Sequence, residues 1–302
     1  MTVADLAPAP SPVTLASTQI PLTLTAVAPV HHGAGTAGNT ALLRTQEVVL
    51  PDGTQTAVPF ISGNSVRHAI RDVLAWRLVR TLDIPAGSLP KGVVDLLWSG
   101  GALTKTGSQV ELEQARRLGL VPALSLLGYS AQSDIVTGSL RADNLGLVCA
   151  ENAWRLPEHL RGHPHATLPA GRFRGEEFGT RHDITGTGVD VLVESSGMFD
   201  APQTTQMIYE HQVLIPGAVL WGRLCLDAAT PLAADALAVA LLDLAPDGLM
   251  CVGAKRASGF GACRLELVGP LPAHADEAVE RHDEHLRGHR DDILAALAAA
   301  VS

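Results

Sequence analysis

The order in which strand-like and helix-like segments follow one another is the feature that most restricts the fold of this chain. Alternating apolar and β-branched residues predict a first strand within residues 18–30, and apolar residues at helical spacing predict a helix over 64–82. Strands are then predicted within 135–150 and 207–227, a second helix at ALAVALLDL, and a closing strand within 248–268. This succession is typical of a ferredoxin-like α+β sheet that carries extra elements.

The two ends and one internal segment do not fit that succession. Residues 1–17 are an Ala/Pro-rich stretch, which we interpret as a flexible leader, and residues 269–302 are predicted to form an acidic C-terminal helix on the surface. Residues 155–206 lack a strong period and are rich in Gly, Arg, His and Thr. A polar insertion of this length in a compact domain is usually functional or mobile.

Charge is segregated along the chain rather than uniform. The 302 residues carry a net charge of -9, yet residues 64–80 hold four Arg against one Asp, while residues 271–302 hold three Arg against seven acidic residues. The total excludes a uniformly basic surface. It does not exclude a nucleic-acid ligand, because binding depends on where the charge lies.

The four cysteines and the N-terminus point to a cytoplasmic protein. None of the cysteines lies in a C-x-x-C pair, and three of them sit in apolar, strand-like runs. We therefore expect reduced, buried thiols. The N-terminus lacks the basic start and apolar run of a signal peptide, and no apolar span is long enough for a membrane, so no membrane partner is expected.

The stretch PFISGNSVRHAIRDVL reads as the end of a strand, a tight polar turn and a helix. Ser62 and Asn64 can cap that helix, and Gly63 permits a tight backbone path. Arg67 and Arg71 lie four residues apart, on one helical face beside the N–H groups of the helix start. This arrangement can bind an anion; the simpler alternative is a capped helix with two solvated arginines.

The stretch GAKRASGFGACR combines three glycines with Lys255, Arg256, Ser258 and Phe260. Glycine allows a backbone to approach a ligand closely, and an aromatic ring offers a stacking face. The spacing is not that of a P-loop, and the loop leads into a strand rather than into the helix of a dinucleotide site. A plain glycine-rich hairpin remains the alternative.

The insertion offers a third candidate surface. It contains Arg174, Arg181, His182 and an apolar pair, Met198 and Phe199. A β-ribbon with an apolar tip can wedge between bases. The alternative is a surface excursion whose Met and Phe pack back onto the core.

Metal and nucleophilic chemistry receive little support from the sequence. His31 and His32 are adjacent, and His159, His163 and His165 cluster in a Pro/Gly-rich loop, but none has the partners and spacing of a zinc site. There is no G-x-S-x-G motif. We expect no metal and no cofactor.

Four stretches of the sequence, including the helix start and the glycine-rich loop above, resemble in their order the RAMP superfamily of CRISPR effector complexes, and specifically its Cas-seven type of backbone subunit. FISGNSVRHAIRDVL is similar to the family's I-P-G-S-S-L-R-G-A-L-R helix start, and LSLLGYSAQSDIVTGSLRADN to its L-F-G segment and Gly-Ser strand. YEHQVLIPGAVLWGRLCL resembles the E-x-V-x-x-G-x-x-F strand pair, and GAKRASGFGACRLEL the closing G-G-x-x-x-x-G-x-G loop and strand. The likeness spans roughly residues 18 to 268.

The resemblance implies an RRM-like palm over residues 18–268 with an inserted thumb at about 170–206. It implies that copies stack head to tail along a crRNA, that other CRISPR effector-complex subunits are partners, and that target DNA or RNA is recognised by guide pairing. The RNA-binding residues that follow from it are His31, Asn39, Arg44, Ser62, Asn64, Ser65, Arg67, His68, Arg71, Arg174, Arg181, His182, Met198, Phe199, Lys255, Arg256, Ser258 and Phe260.

One departure from the family pattern bears on catalysis. RNA-cleaving members carry an aspartate in the loop before the helix start, where this chain has Asn39, with Arg44 matching the Arg that follows. An amide cannot act as a general base. Together with Asn39, the resemblance therefore implies a non-catalytic subunit of a type IV-like or Csm/Cmr-backbone-like complex. Two alternatives remain open, namely a RAMP ribonuclease that uses His31, His32 or His182 to process guide RNA or cleave target RNA, and a solitary RNA-binding module.

Overall fold

A computed structural model describes residues 15–102, 110–181, 207–269, 271 and 273–301. Its strands are β1 Ala16–Ala26, β2 Gly33–Ala37, β3 Thr40–Leu43, β4 Thr45–Val49, β5 Gln55–Ile61, β6 Gly128–Ala131, β7 Asp134–Thr137, β8 Leu140–Ala142, β9 Leu145–Leu147, β10 Arg174–Arg181, β11 Met207–Leu214, β12 Val219–Ala229, β13 Leu249–Cys251 and β14 Ala262–Leu267. Its helices are α1 Gly63–Thr81, α2 Lys91–Ser99, α3 Leu112–Leu118, α4 Pro122–Leu127, α5 Pro231–Leu244, α6 Ala275–Gly288 and α7 Arg290–Ala300.

The main sheet has the strand order of a ferredoxin-like fold. Its order is β13-β14-β1-β12-β9-β5-β4, with β8 also pairing with β12. β1 is antiparallel to both β12 and β14, and β12 is antiparallel to β9. If β1, β8/β9, β12 and β14 are counted as strands one to four, the order is four-one-three-two, with α1 and α5 as the two crossover helices. The predicted α+β fold is confirmed.

The core lies between this sheet and the two crossover helices. Leu22 and Leu24 of β1, Ile70 of α1 and Leu237 of α5 are all buried in one apolar cluster. Each such side chain stabilises the fold by about 1.5–3 kcal/mol relative to its exposed state. Thr230 caps α5 by accepting a hydrogen bond from the Ala233 N–H, and Pro231 at the first position needs no N–H partner.

The glycine-rich, polar composition of the stretch HHGAGTAGNT is typical of a loop, but most of the stretch forms a β-hairpin. β2 and β3 pair antiparallel across a turn at Gly38, whose φ of 60° favours glycine. β3 also pairs with β11 in the four-stranded sheet β10-β11-β3-β2. The strand state here depends on a partner about 170 residues away, which local patterns do not reveal.

The predicted thumb is rooted in that second sheet. β10 and β11 pair antiparallel in unbroken register from Arg174↔Leu214 to Arg181↔Met207. Residues 182–206, which connect these two strands, lie outside the described residues. This segment includes His182, Met198 and Phe199. Residues 150–173, which lack a sequence period, form four short 3-10 helical turns.

The C-terminal segment forms two helices, so the prediction of one acidic surface helix is wrong. α6 and α7 meet at His289, which follows Gly288. Leu286 and Ile293 are fully buried in a second apolar cluster with Leu97 of α2 and Leu118 of α3. The acidic residues dominate the composition of this segment, while an apolar stripe on each helix decides its packing.

A buried charge network ties the C-terminal segment to the main domain. Arg77 of α1 donates to Asp243 of α5 at 3.0 Å and to Asp283 of α6 at 2.8 Å. All three side chains are at most 22% exposed. Removing Arg77 would leave Asp243 without an ion-pair partner in the described part of the chain, so the network favours the observed positions of the three helices.

Three further expectations can be compared with the structure. β1 begins at Ala16, two residues before the predicted start of the domain. Cys149, Cys225 and Cys263 are buried, whereas Cys251 is exposed, contrary to the expectation of buried thiols, because β13 is at the edge of the sheet. No helix among the described residues is long and apolar enough to cross a bilayer.

Candidate nucleic-acid interface

An open cleft of about 400 Å³ lies at the N-terminus of α1. Three segments that are distant in sequence meet there: the start of the β2–β3 hairpin with Arg44, the first turn of α1, and the loop after β13. The residues that line the cleft are His32, Gly33, Arg44, Ser62, Asn64, Ser65, His68, Gly253, Ala254 and Arg256. None of these residues is acidic, so no carboxylate in the lining competes with an anion for Arg44 and Arg256.

The helix start itself contributes to this character. The Ser62 hydroxyl accepts a hydrogen bond from the Ser65 N–H, and the first turn of α1 contains no acidic residue. The positive end of the helix dipole therefore faces the cleft without a counter-charge in its own first turn. Anions bind readily at such positions.

Gly63 is required by close packing at this point. A Cβ on Gly63 would lie 2.1 Å from the Ala142 carbonyl oxygen. The Gly63 N–H also donates to the side-chain oxygen of Asn144 at 2.9 Å. Strands β8 and β9 thus hold the helix start in place, and only glycine fits between them.

His32 supports the same turn as a neutral hydrogen-bond acceptor. Its Nε2 accepts a hydrogen bond from the Ser62 N–H at 3.2 Å. Burial, followed by the nearby charges of Arg44 and His31, lowers the pKa of His32 to about 4. The lone pair of the ring is already occupied by the backbone, so this side chain is poorly placed to act as a general base.

The cationic side chains of the cleft are accessible. Arg44 and Arg256 are exposed, and the Arg44 Nε donates to the Gly33 carbonyl at 3.2 Å. Asn64 and His68 of α1 are exposed beside them. Of the residues predicted to bind RNA, the structure brings together six in the cleft, namely Arg44, Ser62, Asn64, Ser65, His68 and Arg256.

Arg67 and Arg71 do not line the cleft. The structure corrects the expectation that both side chains present their charge to a phosphate. Arg67 donates to the carbonyls of Leu127 and Leu140, and Arg71, only 8% exposed, donates to the carbonyls of Leu127 and Gly128. The pKa of Arg71 is lowered to about 10 by burial and by Arg67. Both arginines satisfy carbonyls at the C-terminal end of α4, which carries partial negative charge.

A cluster of rings adjoins the cleft. His31 is buried, and its Nδ1 lies 2.7 Å from the Gln212 carbonyl oxygen. The ring of His211 lies 5.3 Å from that of His31, 5.2 Å from Tyr209 and 6.1 Å from Phe260. Burial, then the charges of Lys255 and His31, lower the pKa of His211.

Lys255 completes this cluster. Its Nζ lies 5.6 Å from the centre of the Tyr209 ring, within the range of a cation–π contact. The sequence reasoning identified Lys255, Phe260 and His31 but missed Tyr209 and His211. The run YEHQ carries rings at alternate positions, which places them on one face of a strand, and this pattern could have revealed them.

The remaining predicted residues lie elsewhere. Ser258 is in the exposed turn after Lys255. Arg174 is exposed at the root of the thumb and donates to the Ala57 carbonyl at 2.8 Å. Arg181 is the last residue of β10. His182, Met198 and Phe199 fall outside the described residues.

Asn39 is exposed in the turn between β2 and β3, away from the lining of the cleft. Its carbonyl accepts a hydrogen bond from the Glu210 N–H at 3.1 Å. The Glu210 carboxylate in turn accepts a hydrogen bond from the Thr40 hydroxyl at 3.0 Å. Among the residues that the structure describes, no group of three or more His, Cys, Asp or Glu side chains could hold a metal ion.

Comparison with known proteins places this geometry in a structural context. No protein-family model and no curated protein matches the chain. A chain of the solved structure titled "Type IV-B CRISPR Complex" has a similar fold, with a TM-score of 0.56 and 18% sequence identity. The similarity covers 86% of this chain and 96% of that one. Nearly the whole length of the solved chain is therefore represented in this fold.

Proposed function

We propose that this protein is a non-catalytic, crRNA-binding backbone subunit of a CRISPR effector complex that assembles with further copies of itself and with other subunits. The observation that carries the proposal is the cleft at the start of α1. It gathers Arg44, Arg256 and an uncompensated helix N-terminus, from three separate segments, without a single acidic residue in its lining. The similarity in fold to a chain of a type IV-B CRISPR complex supports the same reading.

The chemistry of the cleft suits the backbone of a single-stranded RNA. Arginine forks and helix N–H groups bind phosphate oxygens, while serine and asparagine side chains can bond phosphate or the 2′-hydroxyl. Such contacts are independent of base sequence, as expected for a subunit that must accept any guide. Sequence recognition would belong to guide pairing with the DNA or RNA target.

A structural role rather than RNA cleavage is favoured by the state of the candidate catalytic groups. Asn39 has no acid–base capacity at neutral pH. His31 and His32 are buried and hydrogen-bonded to backbone atoms. His68 of α1 is exposed in the cleft. The other histidine in the lining is buried His32, so the cleft lacks a second exposed histidine that could complete an acid–base pair.

The test is to purify the protein after expression with its nucleic acid retained, and to analyse it by light scattering and negative-stain imaging. We expect elongated or crescent-shaped particles that contain short RNA of nearly uniform length. A monomer free of RNA would overturn the backbone role. Incubating the assembled particles with matched target RNA and a divalent metal should give no cuts; metal-dependent cuts at regular spacing would overturn the non-catalytic assignment.

A further inference from the structure

A second cleft, of about 320 Å³, lies on the face of the main sheet opposite to α1 and α5. Pro21 of β1 is paired with Arg223 of β12, and Thr23 with Trp221. Because side chains alternate along a strand, Pro21, Trp221 and Arg223 face away from the core that Leu22 and Leu24 enter. The 3-10 segment after β9 covers part of this face and supplies Arg155, Pro157 and His159 to the cleft.

Arg155 is an incompletely satisfied cation in this cleft. Its Nε donates to the Asn152 side-chain oxygen at 2.9 Å, whereas its Nη2 is buried and has no partner among the described residues. None of the carboxylates in the described part of the chain lies within ion-pair distance of it. Burial lowers the pKa of Arg155. A half-buried guanidinium without a counter-charge is costly, and an incoming anion would remove that cost.

Trp221 adds a second unsatisfied donor. Its indole Nε1 is buried and has no hydrogen-bond partner among the residues described. Buried indole N–H groups normally find an acceptor. Arg223, the other cation of the cleft, is already paired with Asp143 at 2.8 Å, so it is the less available of the two arginines.

We propose that this cleft binds an oxyanion, the phosphate or carboxylate group of a small ligand, through Arg155 with Trp221 beside it. Phosphate and carboxylate oxygens accept from a guanidinium in the same way, and none of the residues that line the cleft is acidic. Pro21 and Pro157 provide apolar walls for the part of the ligand that carries the anion. The cleft at the start of α1 shares no lining residue with this one, so the site does not depend on the proposed RNA-binding role.

The indole ¹H–¹⁵N resonances of the protein labelled with ¹⁵N-tryptophan provide a direct test. The four tryptophans give four signals, and Trp221→Phe assigns the relevant one. Inorganic phosphate, AMP and acetate would be titrated separately against sodium chloride of matched ionic strength. We expect a saturable shift of the Trp221 signal with phosphate and AMP, or with acetate, which also distinguishes a phosphate source from a carboxylate source.

Variants decide whether Arg155 is responsible. Arg155→Gln should abolish the saturable shift, and Arg155→Lys, which keeps the charge but not the planar fork, should weaken the apparent affinity at least about fivefold. Arg161→Gln removes an exposed arginine of the same segment and should leave the titration unchanged. A Trp221 shift identical in chloride, or one that persists in folded Arg155→Gln protein, would overturn the proposal.

Discussion

The backbone N–H of Ser62 donates a hydrogen bond to Nε2 of His32, and this contact joins the residue that caps α1 to the start of the β2–β3 hairpin. The acceptor lone pair exists only while the imidazole is neutral. The shape of the cleft at the start of α1 is therefore linked to the protonation state of one buried histidine.

The stability of the protein should depend on that histidine in mildly acidic solution. The pKa of His32 is about 4 in the folded protein against an ordinary value of 6.5, so the unfolded chain binds the proton more readily. The contribution is fully present above about pH 6.5 and is lost as the pH falls toward 4. Urea unfolding at a series of pH values should show this loss, and it should be smaller in His32→Gln, whose side-chain oxygen can still accept from Ser62.

Two features make this comparison interpretable. Burial also lowers the pKa values of His165, His211 and His282, so part of the pH dependence should remain in His32→Gln. His274→Gln changes an exposed histidine and should keep the full wild-type dependence. Identical pH profiles for wild type and His32→Gln would contradict the assignment.

Gly63→Ala should destabilise the helix start. The new methyl would lie 2.1 Å from the Ala142 carbonyl oxygen, so the backbone of α1 or of β8 must shift. Forced shifts of this kind cost about 1–3 kcal/mol. Thermal or urea unfolding measures the change, with Gly288→Ala as the control, because a Cβ at Gly288 meets nothing within 4 Å and alanine favours the helix. Equal stability of the two variants would be inconsistent with the packing around Gly63.

Arg71→Glu should disrupt folding rather than RNA binding alone. If Arg71 were solvated, as the simpler alternative from the sequence has it, charge reversal there would leave the fold intact. In the structure the Arg71 guanidinium is buried against the carbonyls of Leu127 and Gly128, so a carboxylate there would be buried among acceptors. We expect a loss of about 3–5 kcal/mol. Circular dichroism and urea unfolding test this, and a native-like unfolding midpoint would refute it.

Arg44→Gln and Arg256→Gln should weaken RNA binding without affecting stability. Both side chains are exposed in the cleft, and each should contribute one phosphate contact. Affinity for single-stranded RNA of any sequence should fall, and the slope of log K against log salt should decrease by about 1 per arginine. Fluorescence anisotropy at several salt concentrations measures both effects.

The matched control for this pair is Arg80→Gln. Arg80 is exposed in the last turn of the same helix and does not line the cleft, yet its substitution removes the same charge. If Arg80→Gln reduces the slope as much as the cleft variants do, RNA binding reflects net charge and not the cleft.

The start of α1 shows most clearly which features the sequence alone can predict. The alternation of strand residues, the helical spacing and the cap at Ser62 are local properties, and they suffice to predict the order of the ferredoxin-like elements and the beginning of α1. The same local reading identifies Asn64 and Arg256 as polar groups at a helix start and in a loop, where side chains are usually accessible, whereas Arg44 follows only from the family resemblance.

The tertiary structure decided what local patterns leave open. Arg67 and Arg71 follow the same spacing as solvated arginines, but the carbonyl end of α4 folds against them and takes their hydrogen bonds. The HHGAGTAGNT stretch became a hairpin because β11 pairs with it. Burial, and after it the charge of Arg44, lowers the pKa of His32 to about 4. Each outcome depends on burial or on pairing with groups outside the local stretch. The free energies of burial and of such pairing depend on the whole fold, so a short stretch of sequence cannot reveal them.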